Sequence, residues 1–297
     1  MTTTVGHPSG LGRWVLGARP RTLGAALAPV LVGTATAAAE AGRVLVDRAV
    51  LAAVVALALQ VGVNYANDYS DGIRGTDTNR VGPLRLTASG LASPRAVRRA
   101  ALIAFTVAAV SGLILSLLAN PWLLVAGAAA IAAAALYTGG PKPYGYLGLG
   151  ELMVLVFFGF VATTGSAYVQ LGRIPASAWY ASVAVGALAC ALLVVNNVRD
   201  RATDDATGKR TLAVRFGDRA GRRLYVACLV ASFAGVAGIA TIHAWAALGF
   251  LAAPFAWRPA RLVVGGAAGP ALIPALVATV RLELVVAALV AVGLWIS

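Results

Sequence analysis

The chain has 297 residues and only 11 acidic ones, and six of those fall in two short stretches. NYANDYSDGIRGTD (64–77) carries Asp68, Asp71 and Asp77, and NNVRDRATDDATGKRT (196–211) carries Asp200, Asp204 and Asp205. Aligning Asn64 with Asn196 also aligns Asp68 with Asp200, so the second stretch echoes the first. At about 100° per helical residue, Asn64, Asn67, Asp68 and Asp71 fall within an arc of about 100°, while Asn196, Asp200 and Asp204 drift by about 80°. Each stretch would therefore stack oxygen donors on one helix face. Carboxylates so close repel one another unless a cation joins them. Several hard oxygen donors suit Mg²⁺, which keeps some waters and bridges carboxylates to substrate phosphates. Basic residues follow both clusters: Arg74, Arg80 and Arg85 after the first, Lys209 and Arg210 after the second. Both signs of charge together fit a polyanion held through metal and through Lys/Arg. Solvated loops after membrane helices also carry charge, but two copies holding most of the acids argue for more than that.

The elements that position these stretches are apolar. The composition is 60% hydrophobic and 12% charged, with a mean hydropathy of +0.83. A soluble domain of this length could not hide so much apolar surface. The apolar runs have lengths near the ~20 helical residues that cross a bilayer. Spans are expected near 22–39, 50–68, 100–118, 121–137, 149–169, 178–198, 223–241, 244–257 and 281–297, about nine helices of an all-α polytopic bundle. Residues 258–279, with paired glycines, Pro270 and Pro274, read either as a shallow interfacial segment between the last two spans or as a tenth span. Residues 1–21 lack the apolar block of a cleavable signal peptide. Cys190 and Cys228 sit in apolar runs as small core residues, with no metal or disulfide spacing.

The net charge of +13 does not point to nucleic acid, because its distribution follows the membrane. The N-terminus and the even-numbered connections hold 21 of the 24 basic residues, leaving only Arg43, Arg48 and Arg173 for the other side. By the positive-inside rule this places the N-terminus in the cytoplasm and the chain in the cell membrane. Four spans separate the two acidic stretches, so both emerge on the cytoplasmic side. The pattern is a weak parallel repeat of about four helices within one membrane-embedded domain, residues 1–297.

Two aspartate motifs after the second and sixth of nine helices resemble the UbiA superfamily of intramembrane prenyltransferases. The likeness runs from about Arg13 to Leu224 and is strongest to the branch that prenylates 1,4-dihydroxy-2-naphthoate in menaquinone synthesis. It rests on ARPRTL (18–23), NDYSDGIRGTD followed by GPLR (82–85), YTGGPKPYGYLGLGEL (137–152), and NNVRD with GKRTLAVRFGD (208–218). The resemblance implies a UbiA-type bundle and Mg²⁺ as cofactor. It implies a polyprenyl diphosphate as donor, and 1,4-dihydroxy-2-naphthoate as an acceptor that loses CO₂. It implies Asn67, Asp68, Asp71, Asp77, Asp200 and Asp204 as metal ligands, with Asp68, Asp71, Asp200 and Asp204 central to catalysis. Many superfamily members place the last aspartate of the first motif where this chain has Gly75; Asp77 matches the spacing of the naphthoate branch. Substrate contacts are implied for Arg19, Asn64, Arg74, Lys142, Tyr144, Asn196, Lys209 and Arg210.

The rival readings are another aromatic acceptor, such as 4-hydroxybenzoate, a chlorin or a haem, and a divalent-cation transporter. The GGPKPYGY loop (139–146) and the Asp71–Asp77 spacing favour the naphthoate branch by resemblance. Transporters bind near the midplane, whereas both clusters here lie at helix ends beside basic residues that repel a cation. Glu151 opens the fifth apolar run, either as a functional intramembrane acid or as an N-terminal helix charge. His7 and His243 have no partners in sequence. Glycine- and alanine-rich runs such as AGAAAIAAAA (126–135) permit close helix packing. The sequence carries no signal of an oligomeric state.

Overall fold

A computed structural model of the chain describes residues 10–76 and 85–297, and among these all regular structure is helical. The amphipathic helix α1 (Leu11–Ala18) leads directly into α2 (Pro20–Ala41). Then come α3 (Val46–Arg74), α4 (Pro94–Leu118), α5 (Leu123–Leu136), α6 (Gly150–Leu171) and α7 (Ala176–Ala206). The short α8 (Leu212–Phe216) precedes α9 (Asp218–Ala240), α10 (Ala253–Val264) and α11 (Ile273–Trp295). Local sequence explains the ends. Ser93 caps α4 by accepting from the Ala96 N–H, with Pro94 at the first helical position. Gly75 stops α3 in the left-handed conformation, at φ 74°.

Among the described residues seven helices are long and apolar enough to cross a membrane, and α5 is a shorter apolar helix. With the segment around residue 250, the described residues contain the nine apolar segments expected. The last two differ in detail. Residues Ala244–Ala252 form a 3₁₀ stretch that turns into α10 instead of a regular span, and α11 begins at Ile273, well before the expected 281. Pro270 and Pro274 read as helix breakers in the sequence. Both lie within the first positions of a helical turn, where a missing N–H costs nothing.

Two helices dominate the site. At 29 and 31 residues, α3 and α7 reach about 44 and 46 Å at ~1.5 Å per residue, against a hydrocarbon core of ~30 Å. Their surplus length is enough to carry their C-terminal turns, with Asp68, Asp71, Asp200 and Asp204, beyond a layer of that thickness. Helix α7 is buried along most of its length and packs on α9, α11 and α2, while α3 pairs with α4. At the opposite end Arg48 donates to the Val169 carbonyl at 2.6 Å and to the Leu118 carbonyl at 2.7 Å, tying α3 to the ends of α6 and α4.

Close helix contacts rely on missing side chains. Between Leu155 and Val161 α6 widens into a π-helical turn. There Gly159 faces α7 so tightly that an added Cβ would lie 3.0 Å from the Gly186 Cα. A Cβ on Gly33 would lie 2.2 Å from the Thr163 carbonyl oxygen, which sets the approach of α2 to α6. Overpacking a fitted contact costs about 1–3 kcal/mol, and here the obstacle is backbone. Gly33→Leu should therefore lower the apparent Tm in detergent by several degrees, whereas Gly127→Ala, where nothing lies within 4 Å, should leave it unchanged. Equal Tm values for both variants would contradict this packing.

Candidate active site

A cavity of about 1720 Å³ opens between the ends of α3 and α7 and runs into the bundle. Along α3 its wall passes from Asp71 through Asn67, Asn64, Gln60 and Ala56 to Ala52, a length of about 28 Å. The outer part is lined by charged and polar groups: Arg19, Arg85, Asn196, Arg199, Lys209, Tyr137 and Tyr144. The inner part is apolar, with Val55, Leu59, Phe157, Phe158, Val161 and Leu276.

The first motif divides between two neighbours. Asn67 and Asp71 line the cavity. The Asp71 carboxylate accepts from the Tyr146 hydroxyl at 2.7 Å and lies 3.9 Å from the Arg85 guanidinium. Thr138 donates to the Asn67 side-chain oxygen at 2.7 Å. Asp68 is buried and does not line this cavity. Its two oxygens accept from the backbone N–H groups of Leu86, at 2.8 Å, and Thr87, at 2.9 Å. Asn64 lines the cavity while donating to the Ala18 carbonyl at 2.9 Å, which fixes the α1–α2 corner. Asp77 and Arg80 lie outside the described residues.

The second motif is held by its own basic residues. Arg199 forms a fork on the neighbouring Asp200, with Nε 2.7 Å from Oδ1 and Nη2 2.6 Å from Oδ2, and also donates to the Asn196 side chain. Lys209 stands 3.6 Å from Asp204. Asp200 and Asp204 are buried, and it is Arg199, Asn196 and Lys209 that line the cavity.

The remaining expected residues sort themselves as follows. Arg19 lines the cavity at the corner between α1 and α2. Among the described residues it is the only non-glycine with positive φ, at 54°, a strained conformation of the kind that concentrates at functional sites. Its buried Nη2 has no hydrogen-bond partner. Arg74 is exposed and binds the carbonyls of Thr138 and Gly140, so it anchors the loop before α6. Lys142 is exposed on that loop and lines no part of the cavity. Arg210 is exposed and its side chain pairs loosely with Asp205 at 3.8 Å. Its backbone N–H reaches the Tyr146 carbonyl at 3.0 Å. Tyr144 stands in the wall, with its ring edge-on to Tyr137 at 5.4 Å.

Arg199, Thr138 and the joining role of Tyr146 were not singled out from sequence. Tyr146 sits on the short 3₁₀ turn Tyr144–Leu147. Its hydroxyl holds Asp71, its ring stacks under Arg74 and Lys209 at 5.5 Å each, and its carbonyl binds Arg210. One residue thereby connects both motifs. The signal was present in the paired tyrosines of YGY, but a tyrosine in sequence does not reveal which helices it bridges. Gly145 makes the turn possible, since a Cβ there would meet the Tyr137 carbonyl at 2.6 Å. Glu151 is buried and accepts from Asn197 at 2.9 Å, bracing α6 against α7 behind the site.

Among the described residues no three His, Cys, Asp or Glu side chains converge as a ready-made metal cage. Instead the oxygen donors come as small sets on two helices. That chemistry fits Mg²⁺, which takes one or two carboxylates and completes its shell with water and substrate phosphates. Burial raises the Tyr144 phenol to about 12. Burial, and then the charge of Asp71, raise Tyr146 to about 12 as well. Both are hydrogen-bond donors, not bases, at neutral pH.

A sequence profile described as the UbiA prenyltransferase family matches residues 26–265. A protein of Mycobacterium leprae named 1,4-dihydroxy-2-naphthoate octaprenyltransferase is 52% identical over 264 residues, covering 89% of this chain and 90% of that protein. An Escherichia coli protein of the same name is 37% identical over 294 residues, covering 96% and 95%. Among solved structures, one described as a UbiA homolog from Archaeoglobus fulgidus bound to GPP and Mg²⁺ superposes with a TM-score of 0.71 at 14% identity. The match covers 95% of this chain and 98% of that one.

Tyr146 offers a direct check of how the two motifs are joined. A phenol raised from 10.0 to about 12 on folding stabilises the fold fully below pH 10 and loses that contribution as pH rises towards 12. Tyr146→Phe should cost about 1.5–3 kcal/mol at neutral pH, the usual value of a bond to a charged acceptor. Thermal scans between pH 10 and 12 should show the wild-type Tm falling faster than that of the variant. Parallel slopes would mean that folding does not raise the Tyr146 phenol.

Proposed function

The chain belongs to the UbiA prenyltransferase family, and on that premise we propose that it transfers a polyprenyl group from a polyprenyl diphosphate to 1,4-dihydroxy-2-naphthoate. The observation that carries this reading is the cavity, which joins a charged mouth to a long apolar interior. A donor with a diphosphate head and an isoprenoid tail has the same two-part chemistry. The relatives' names supply the acceptor.

In the reaction the allylic C–O bond breaks and its electron pair leaves with the diphosphate. The allylic carbon then bonds to the carboxyl-bearing ring carbon, and loss of CO₂ returns electrons to the ring. We assign Asn67 and Asp71 on α3, and Asp200 and Asp204 on α7, to holding Mg²⁺, with Asp77 completing the first set. When bound, Mg²⁺ would supply positive charge to the departing diphosphate. Arg19, Arg85, Arg199 and Lys209 bind the same anion from the cavity wall, positioned before charge develops. Arg199 and Lys209 hold Asp200 and Asp204. An arriving diphosphate competes for these cations and so weakens their hold on the two carboxylates. Tyr137, Tyr144, Phe157 and Phe158 offer aromatic faces to the allylic cation and keep water from it. No tyrosine needs to act as a base, since an electron-rich dihydroxynaphthoate attacks without one.

The concentration of basic residues on the side of both motifs supports a cytoplasmic mouth and a plasma-membrane location. Exposed Lys142, Arg74 and Arg210 serve this reading as loop anchors and surface charge.

The test uses purified protein in detergent with Mg²⁺ and a long polyprenyl diphosphate, with 1,4-dihydroxy-2-naphthoate and 4-hydroxybenzoate offered in parallel. Prenylated naphthoate lighter by CO₂, and lost on adding EDTA, is the expected mass. Product from the benzoate alone would move the acceptor. No product from either, with EDTA making no difference, would overturn the reading. Arg199→Ala should lower kcat/KM for the diphosphate by about 10²–10³, the usual effect of removing one preplaced charge donor. Unchanged turnover would remove Arg199 from the site.

A further inference from the structure

We propose that Asp68 is a positioning residue that fixes Arg85 in the cavity wall, and that it is not a metal ligand. The inference rests on the prenyl-transfer reading only for what Arg85 binds; the structural part stands apart from it. Asp68 and Asp71 are one helical turn apart on α3, about 60° around its axis, and that difference sends them to different neighbours. Asp71 faces the cavity. Asp68, 1% exposed, faces the segment that returns from the end of α3 to α4. There its two oxygens take the consecutive N–H groups of Leu86 and Thr87 at 2.8 and 2.9 Å. A carboxylate that accepts two backbone amides makes strong, short, directional bonds, and it fixes both position and register of the strip it holds.

The segment has no room to slide. The Leu86 side chain is fully buried over α1 and α3, so close that a Cβ on Gly17 would lie 2.6 Å from its Cδ1. Thr87 lies directly on Gly72, where a Cβ would come within 2.4 Å of the Thr87 Cγ2. Charge on one side, an apolar plug on another and a bare glycine beneath hold residues 86 and 87. The residue immediately before them is Arg85, 7% exposed, in the cavity wall and 3.9 Å from Asp71. A long flexible side chain is useful for charge stabilisation only if its backbone is fixed. Asp68 supplies that fixation through the next two amides.

The test combines three readouts on Asp68→Ala, Asp68→Asn, Arg85→Ala and the double variant Asp68→Ala/Arg85→Ala, with Asp71→Asn as comparator. Hydrogen–deuterium exchange of the ligand-free protein should show the Leu86 and Thr87 amides opening about tenfold faster in Asp68→Ala, the loss expected for a charge-assisted bond. Mn²⁺ binding, followed by electron paramagnetic resonance with saturating inorganic pyrophosphate, should stay near wild type in the Asp68 variants and weaken about tenfold in Asp71→Asn, as for a lost ligand contact. In turnover, Asp68→Ala should raise KM for the polyprenyl diphosphate about tenfold, and adding Arg85→Ala should raise it no further, as expected of coupled residues. If Asp68→Ala does not fold, Asp68→Asn, which keeps one acceptor, carries the same measurements at smaller amplitude. Mn²⁺ affinity lost as in Asp71→Asn, unchanged amide exchange, or multiplying KM effects would each overturn the proposal. If the wild type binds no Mn²⁺, the metal reading fails, and the exchange and Arg85 coupling still decide the role of Asp68.

Discussion

A carboxylate withdrawn from water in a membrane protein must be matched where it sits, because the low dielectric that would strengthen its attractions also makes it costly to leave alone. Asp68, Asp71, Asp200 and Asp204 are all buried. Each is matched differently: by two amides, by a phenol with an arginine nearby, by a guanidinium fork, and by a lysine. The arrangement of this end of the bundle follows from these four solutions. The loop before α6 is anchored where Tyr146 and Arg74 need it. The return to α4 is fastened where Asp68 needs it.

The cost of gathering these charges is limited by helix length. Because α3 and α7 are longer than an apolar layer is thick, their last turns can reach the interfacial zone, where water and headgroups lower the penalty for ionised groups. The same overshoot sets the cavity on a boundary. Its mouth is polar and its body descends along α3 among aliphatic and phenyl side chains. A molecule with an anionic head and a hydrocarbon tail meets a graded environment.

Cations in the wall and acids behind them make the resting site self-neutralising. Arg199 and Lys209 present positive charge to the cavity while their partners stay covered. Such a site turns cations, and not its carboxylates, towards an anion that enters the cavity. Glu151 accepts from Asn197 and so braces α6 against α7 beside the second motif.

Hydropathy, helix order and helix period by themselves determined the membrane bundle and the placing of both motifs at one end of it. These are properties of single helices and of their order along the chain. The prolines at 270 and 274 misled only because a proline's effect depends on whether it begins a turn or interrupts one. Tertiary structure alone decided that Asp68 serves a loop while Asp71 serves the cavity, that Arg199 and not Lys142 lines it, and that Tyr146 joins the two motifs. The physical reason is the same in each case. Periodicity gives a side chain's direction about its own helix axis, but its role depends on which neighbour stands in that direction.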